Sequence, residues 1–280
     1  MGIDDGTQDQ VSEAFRLRLL TYNIQAGTST TNYRDYVTHG WRQVLPHQQR
    51  VRNLNAIASL AAQFDIVGLQ EVDDGSLRSG FINQTQYLAE RAGFPFWSQQ
   101  SNRRVSRLAR TCNGLLSRIR PTEVHDYKLP GRIPGRGALA AYYGSGPDAL
   151  VVVTVHLALG RRSRRTQLGF LRELIQSHSH VVIMGDMNAP LSNAEMRQFL
   201  DSSGLTVPAN GEHTFPSWRP QRGIDHILVS SSLTIERCEV LELSISDHRP
   251  LSLDLRLPCG WHPQSVDDET TPGEINAEQE

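Results

Sequence analysis

The sequence predicts an α/β protein, a four-layer α/β/β/α sandwich of two mixed sheets with outer helices. Short β-branched or leucine-rich runs recur along most of the 280 residues. Amphipathic helical stretches separate some of these runs, and others follow one another with only Gly/Pro turns between. Such a mixture of βα units and consecutive strands fits two packed sheets covered by helices.

The elements follow in order. Arg16–Asn23 alternates and then turns apolar, which reads as a strand. Gln48–Gln63 carries Val51, Leu54, Ile57, Ala58 and Ala61 at helical spacing. Asp65–Gln70 is a short buried strand, and Gln84–Arg91 is a helix stopped by Gly93-Phe94-Pro95. Four strands come next, at Cys112–Ser117, Glu123–Tyr127, Ala138–Tyr143 and Ala149–His156, with turns marked by Gly131, Pro134, Gly135, Gly144, Gly146 and Pro147. Arg164–Gln176 is an amphipathic helix, Val181–Gly185 a strand and Asn193–Leu200 a helix. Strands at Gly223–Ser230, Thr234–Leu243 and Leu251–Leu255 complete the body. No repeat of 20–50 residues is present.

Residues 1–14 and 259–280 read as disordered acidic tails flanking one domain at 15–258. The net charge is −2, but ten of the thirty acids lie in the two ends. The body is left with twenty acids against all 28 basic residues, about +8. A basic body suits an anionic, phosphate-rich or lipid-headgroup partner, and is equally ordinary for a soluble domain. Every basic residue but Lys128 is Arg, the residue suited to bidentate phosphate contacts, although genome composition produces the same bias.

Cys112, Cys238 and Cys259 are widely spaced with no CxxC, so neither a disulfide framework nor a zinc site is indicated, and a reducing compartment is favoured. The acidic N-terminus has no apolar signal core, no run approaches a membrane span, and Gly6 stands where a myristoylation signal wants Ser or Thr. The expectation is a soluble, cytoplasmic protein, and a monomer.

Polar islands end the apolar runs: Tyr22-Asn23-Ile24, Leu69-Gln70-Glu71, Val155-His156-Leu157, Gly185-Asp186-Met187-Asn188-Ala189, Ile224-Asp225-His226-Ile227 and Ser246-Asp247-His248-Arg249-Pro250. A sheet-based enzyme presents polar groups at one rim in this way. The set is acid-rich with two histidines, as a divalent-metal site acting on phosphate requires. Mg²⁺ wants hard oxygen ligands and keeps several waters, so one or two carboxylates suffice. Glu71 is the natural first ligand, and Asn23 can orient metal or water. Asp186 and Asn188, two apart across a tight turn, can address one site. Singly each island is an ordinary turn or strand end; it is their conjunction that points to chemistry.

In this order TYNI, LQE, TVHL, GDMNA, GIDHI and SDHRPL resemble the motifs of the endonuclease/exonuclease/phosphatase superfamily, over residues about 16–256. The resemblance implies metal-dependent phosphoester hydrolysis with Mg²⁺, or Mn²⁺, as cofactor. It assigns Glu71, Asn23 and Asp247 to the metal, and Asp186 and Asn188 to nucleophile and phosphoryl group. His156 becomes a phosphate donor, Asp225 the partner of the closing histidine, and His248 that histidine, as base or transition-state stabiliser. Asn113 resembles a weaker motif that reaches the phosphate, whereas His226 should face away from the site.

Arg161, Arg162, Arg164, Arg165 and Gln167 follow His156, as in bacterial and lipid-linked members. Arg161 or Arg164 could take a second phosphate or headgroup, or simply solvate a helix. Arg103, Arg104, Arg107 and Arg110 flank the cleft or form a solvated loop, and Trp218 stacks on a substrate or packs. The DNA-gripping insertions of AP endonucleases, the two-disulfide scaffold of secreted deoxyribonuclease and the membrane-interacting region of large sphingomyelinases are not evident. A compact bacterial phosphodiesterase is therefore expected, acting on nucleic acid, a phospholipid headgroup or an inositol phosphate. The alternative is a non-catalytic nucleic-acid or protein binding module on the same fold; a degenerate member should have lost metal or base residues, and none is missing. An acyl-transfer triad is excluded for want of a Gly-x-Ser-x-Gly elbow.

Overall fold

The computed structural model describes residues 14–27, 47–75, 82–100, 111–131, 136–208, 212–263 and 273–279. The first sheet has the order β11-β12-β1-β2-β4-β3-β13. Its strands are β1 (Arg16–Asn23), β2 (Ile66–Asp73), β3 (Phe96–Gln99), β4 (Thr111–Ser117), β11 (Thr234–Val240), β12 (Leu251–Arg256) and β13 (Gly273–Glu274). The second has the order β14-β5-β6-β7-β8-β10-β9. Its strands are β5 (Glu123–Lys128), β6 (Gly137–Tyr143), β7 (Leu150–His156), β8 (His180–Asp186), β9 (Leu205–Thr206), β10 (Asp225–Ser230) and β14 (Glu278–Gln279). Both sheets mix parallel and antiparallel pairs. The helices are α1 (His47–Ala61), α2 (Gln84–Ala92), α3 (Arg161–Ile175) and α4 (Ala194–Ser203).

Alternation assigns the faces. Leu17 and Leu19 of β1 meet Val152 of β7 and Met184 of β8 in the core between the sheets. Leu20 and Tyr22 face outward onto Leu54 and Ile57 of α1 and Leu88 of α2. On the other side Val151, Val153 and Val155 pack against Leu168 and Leu171 of α3 and Phe199 of α4. The order of layers is thus helix, sheet, sheet, helix, as the sequence predicts. Gly68 keeps the sheets close, because a Cβ there would lie 2.5 Å from Thr154 Oγ1.

Three expectations change. The strand expected to end at Gln70 runs on to Asp73 through a bulge, since β2 gains one residue on β4 between Leu69 and Val72. Phe96–Gln99, unassigned in sequence, is a strand. The tail drawn at 259–280 is partly ordered. Trp261 is buried against Phe15 and donates from Nε1 to Asp148 O at 3.2 Å. The short β13 and β14 cover the edges of β3 and β5, with Ile275 and Ala277 packed on the inter-sheet core. Main-chain pairing tolerates acidic side chains that point to solvent, so composition misread this segment. Residues 1–13 of the expected N-terminal tail and Arg103, Arg104, Arg107 and Arg110 lie outside the described residues.

Candidate active site

The site lies at the rim where β1, β7 and β8 end, β2 bulges and β10 begins. His156 and Asp225 both stand in register with Asp186, from parallel β7 and antiparallel β10, so their side chains share one face. Asn23 comes across from β1 of the other sheet. These groups meet at the buried Asp186 carboxylate. Its Oδ2 accepts from Asn23 Nδ2 at 3.2 Å and lies 3.3 Å from His156 Nε2 and 3.9 Å from His248 Nε2. Its Oδ1 accepts the Asn188 backbone N–H at 2.8 Å. Burial alone would raise the Asp186 pKa, but the two histidines and the Asn188 N–H outweigh it and hold the carboxyl well below the usual range.

The backbone is bent to make this possible. Glu71 sits in the β2 bulge at φ 56° and Asn188 at φ 52°, both left-handed conformations that residues other than glycine seldom adopt. Gly185, at φ +146°, precedes Asp186; a Cβ there would stand 2.0 Å from Val155 O on the adjoining strand.

A second group surrounds His248. Its Nδ1 lies 2.8 Å from Asp225 Oδ2 and 3.0 Å from Oδ1, while Thr214 Oγ1 donates to Oδ2 at 2.5 Å. The carboxylate therefore fixes the proton on Nδ1 and turns Nε2 toward Asp186. Burial would depress the His248 pKa, but Asp225 and Asp186 lift it to about 10. His226, next to Asp225, points away, hydrogen-bonded to Ala189 O at 2.8 Å, and burial lowers its pKa.

The matching family model, "Endonuclease/Exonuclease/phosphatase family", spans residues 20–248. The chain belongs to this family. Solved structures share the fold at low identity. A family protein from Beutenbergia cavernae DSM 12333 is 20% identical, with a TM-score of 0.67, covering 86% of this chain and 72% of that one. A mannosyl-6-phosphatase from Bacteroides thetaiotaomicron VPI-5482 is 18% identical, with 0.62, covering 85% and 99%. A D. rerio TDP2 complexed with single strand DNA product is 17% identical, with 0.63, covering 86% and 98%. No curated protein matches the sequence significantly.

Members of the endonuclease/exonuclease/phosphatase family are generally phosphoester hydrolases that use a divalent metal. The residues here fit such an ion. Asp247 is buried with its pKa raised to about 6, first by burial and, among the charges, by the like charge of Glu71. A cation shared by these two hard-oxygen donors would relieve that repulsion. Gln25 Nε2 donates to Asp247 Oδ2 at 3.2 Å and Ser246 Oγ to Oδ1 at 3.2 Å. One ligand atom each from Asp186, Asp225 and His248 also fall within 4.8 Å of one another. Asp225 is already committed to His248 and Thr214, so this trio is a hydrogen-bonded network before it is a cage.

Four sequence candidates stand apart from this cluster. Asn113 is an inter-sheet link, donating from Nδ2 to Gly137 O at 2.9 Å. Arg164 is buried and spends its guanidinium on Glu195 and on the carbonyls of Ala158 and Leu159. Arg161 is exposed, 3.3 Å from Glu195 Oε2. Trp218 is half-buried in the turn whose Ser217 N–H donates to Asp247 O at 2.7 Å.

Sequence reasoning missed Arg136. Burial lowers its pKa while Asp186 and Glu71 pull it back up, so a partly buried cation lies in the field of the two site carboxylates. The only available signal was an Arg at the head of a strand, after the Pro134-Gly135 turn. Gln25 and Thr214 were missed too, because only the folded chain brings them to Asp247 and Asp225.

Among the described residues no helix is long and apolar enough to cross a membrane.

Proposed function

We propose that this protein is a Mg²⁺-dependent phosphodiesterase, with Mn²⁺ as the alternative ion, which hydrolyses its substrate by in-line attack of water. The convergence of Asn23, His156 and His248 on Asp186 Oδ2 carries the reading, because it unites both sheets around one anionic acceptor. Glu71, Asp247 and Asn23 would hold the ion, which would supply Lewis-acid polarisation of the phosphoryl group and a more acidic water.

The chain's own groups supply the rest. Asp186, held ionised, accepts a hydrogen bond from the attacking water and aligns it. As the new P–O bond forms and the bond to the leaving oxygen breaks, the water's proton passes to bulk solvent and the leaving oxygen is protonated from His248. His248, cationic at neutral pH, donates from Nε2 to the phosphoryl or leaving oxygen, and Asp225 keeps the ring oriented. His156 and Asn188 donate to non-bridging oxygens, and Arg136 takes up residual phosphate charge. Trp218 would stack on the substrate, and Arg161, which pairs with Glu195 in the free protein, would take a second phosphate or headgroup.

The substrate classes are nucleic acid, a phospholipid headgroup and an inositol phosphate. A metal-controlled screen of these with aryl mono- and diphosphates tests the reading. Chelation should abolish turnover and Mg²⁺ restore it, and Asp186→Ala or His248→Ala should lower the rate at least about 10²-fold. Near-normal turnover in either folded variant refutes the assignment. A nuclease will lose activity steeply with salt; a headgroup enzyme will not.

A further inference from the structure

We propose that Arg164, Gln167 and Glu195 are positioning residues that set the geometry of the Asp186–Asn188 turn from the outer helices. The inference rests on the catalytic reading of that turn. Arg164 and Gln167 lie three apart on α3 and so address one side of the helix, where the segment joining β7 to α3 passes. That segment has its main-chain groups taken up one after another. Leu157 N–H donates to Asp186 O at 2.9 Å, and Ala158 N–H donates to Gln167 Oε1 at 2.9 Å. Arg164 Nη1 donates to Ala158 O at 3.1 Å and to Leu159 O at 2.5 Å.

The other edge of the Arg164 guanidinium is fixed as well. Nε and Nη2 donate to one oxygen of Glu195 on α4, at 3.2 and 2.7 Å, and both residues are buried. Burying two opposite charges is costly, and an apolar pair of similar volume would pack the helices as well or better. Helix packing alone therefore gives no reason for the pair. A planar fork that holds a carboxylate on one edge and two carbonyls on the other does.

The segment so held reaches the site in one step. Leu157 O accepts from Asn188 Nδ2 at 2.9 Å, and Asn188, in its left-handed conformation, donates its N–H to Asp186 Oδ1. Such a conformation persists where its surroundings over-determine it. Arg164 and Gln167 fix residues 157–159, these fix Asn188, and Asn188 fixes the rotation of the Asp186 carboxylate. Arg164 thus acts through the turn, without touching phosphate.

The test uses the full chain with Mg²⁺ and an aryl phosphodiester. The double variant Arg164→Met with Glu195→Met removes the pair without stranding a buried charge, Gln167→Leu removes the acceptor for Ala158, and Gln167→Glu keeps it. Kinetics are read with amide hydrogen exchange at Ala158 and Asn188. The double variant should retain its melting temperature and lose about 10- to 100-fold in kcat with KM within about threefold, since small misplacements act on the chemical step. Both amides should exchange faster while those of β7 and β8 do not. Gln167→Leu should lose about tenfold in kcat and Gln167→Glu less than about threefold. A folded double variant with wild-type kcat and unchanged exchange overturns the proposal. So does a rise in KM at constant kcat, which would make Arg164 a substrate ligand. Asp186→Ala run alongside separates the two failures. If it turns over normally the catalytic reading falls, and exchange at Asn188 still reports on the clamp.

Discussion

Asp225→Asn isolates what the carboxylate beside His248 contributes. The amide keeps the shape and one acceptor oxygen, so Nδ1–H retains a neutral partner, while the charge 2.8 Å away is lost. Two unit charges at that separation interact by about 6 kcal/mol at an effective dielectric of about 20, before desolvation is subtracted. The net effect is visible in His248, whose pKa rises from 6.5 to about 10 despite burial. That difference corresponds to roughly 5 kcal/mol favouring the imidazolium. Asp225 is the first of three acids responsible, so about 2–3 kcal/mol is its share, or on the order of 10² in rate if the imidazolium donates in the transition state. Steady-state kinetics on an aryl phosphodiester should therefore show kcat down about 10²-fold with KM nearly unchanged.

Stability supplies an independent check, best made on chelator-treated protein. His248 has a folded pKa above its unfolded value, so its stabilisation is complete below pH 6.5 and is lost as pH rises through about 10. Asp225→Asn should be less stable than wild type by about 2–3 kcal/mol near pH 6, and the gap should close on approaching pH 10. A variant within about fivefold of wild-type kcat, with a gap that does not change with pH, would refute the reasoning.

Gly185→Ala should destabilise by at least about 3 kcal/mol in chemical denaturation, because its Cβ would stand 2.0 Å from Val155 O at an unfavourable φ. Arg136→Ala should raise KM about tenfold with a smaller effect on kcat, measured on the same diester, and Arg136→Lys should recover part of the loss. His226, whose folded pKa is lowered by burial, takes up its proton more readily when unfolded. Stability should therefore fall as pH drops below about 6.5, at up to about 1.4 kcal/mol per unit, and urea titrations of His226→Asn should be flatter by that amount.

The parts of the fold legible in sequence are those in which burial is written into the side chains. β7 and β8 are buried along their whole length, so the sequence shows them as strands at Ala149–His156 and Val181–Gly185, within a residue of their observed ends. The polar residues that end them, His156 and Asp186, mark the rim. β13 and β14 are specified by main-chain pairing at open edges, which leaves no apolar alternation to detect. The Glu71 bulge was hidden for a related reason: Gln70-Glu71 reads as the end of a strand, and only the register against β4 shows the chain continuing beyond it. Arg164 was misjudged because a helical pattern reveals a charge without revealing its partner. Glu195 is 31 residues away on another helix.

The site's charges are balanced unevenly, and the imbalance says where a cation belongs. Asp186 is answered within the protein by two imidazoles, an amide and a main-chain N–H. Asp225 is answered by His248 and Thr214. Asp247 receives hydrogen bonds from Gln25 and Ser246 together with the attraction of His248. Its pKa nevertheless stays raised, by burial and then, among the charges, by Glu71. A divalent ion held by Glu71 and Asp247 would relieve that repulsion. On the proposed function, the Asp186 and Asp225 half would orient water and phosphate, and the Glu71 and Asp247 half would hold the metal. In the trio Asp186, Asp225 and His248, by contrast, Asp225 is already engaged by His248 Nδ1 and Thr214. The electrostatics therefore favour Glu71 and Asp247 as the ion's seat.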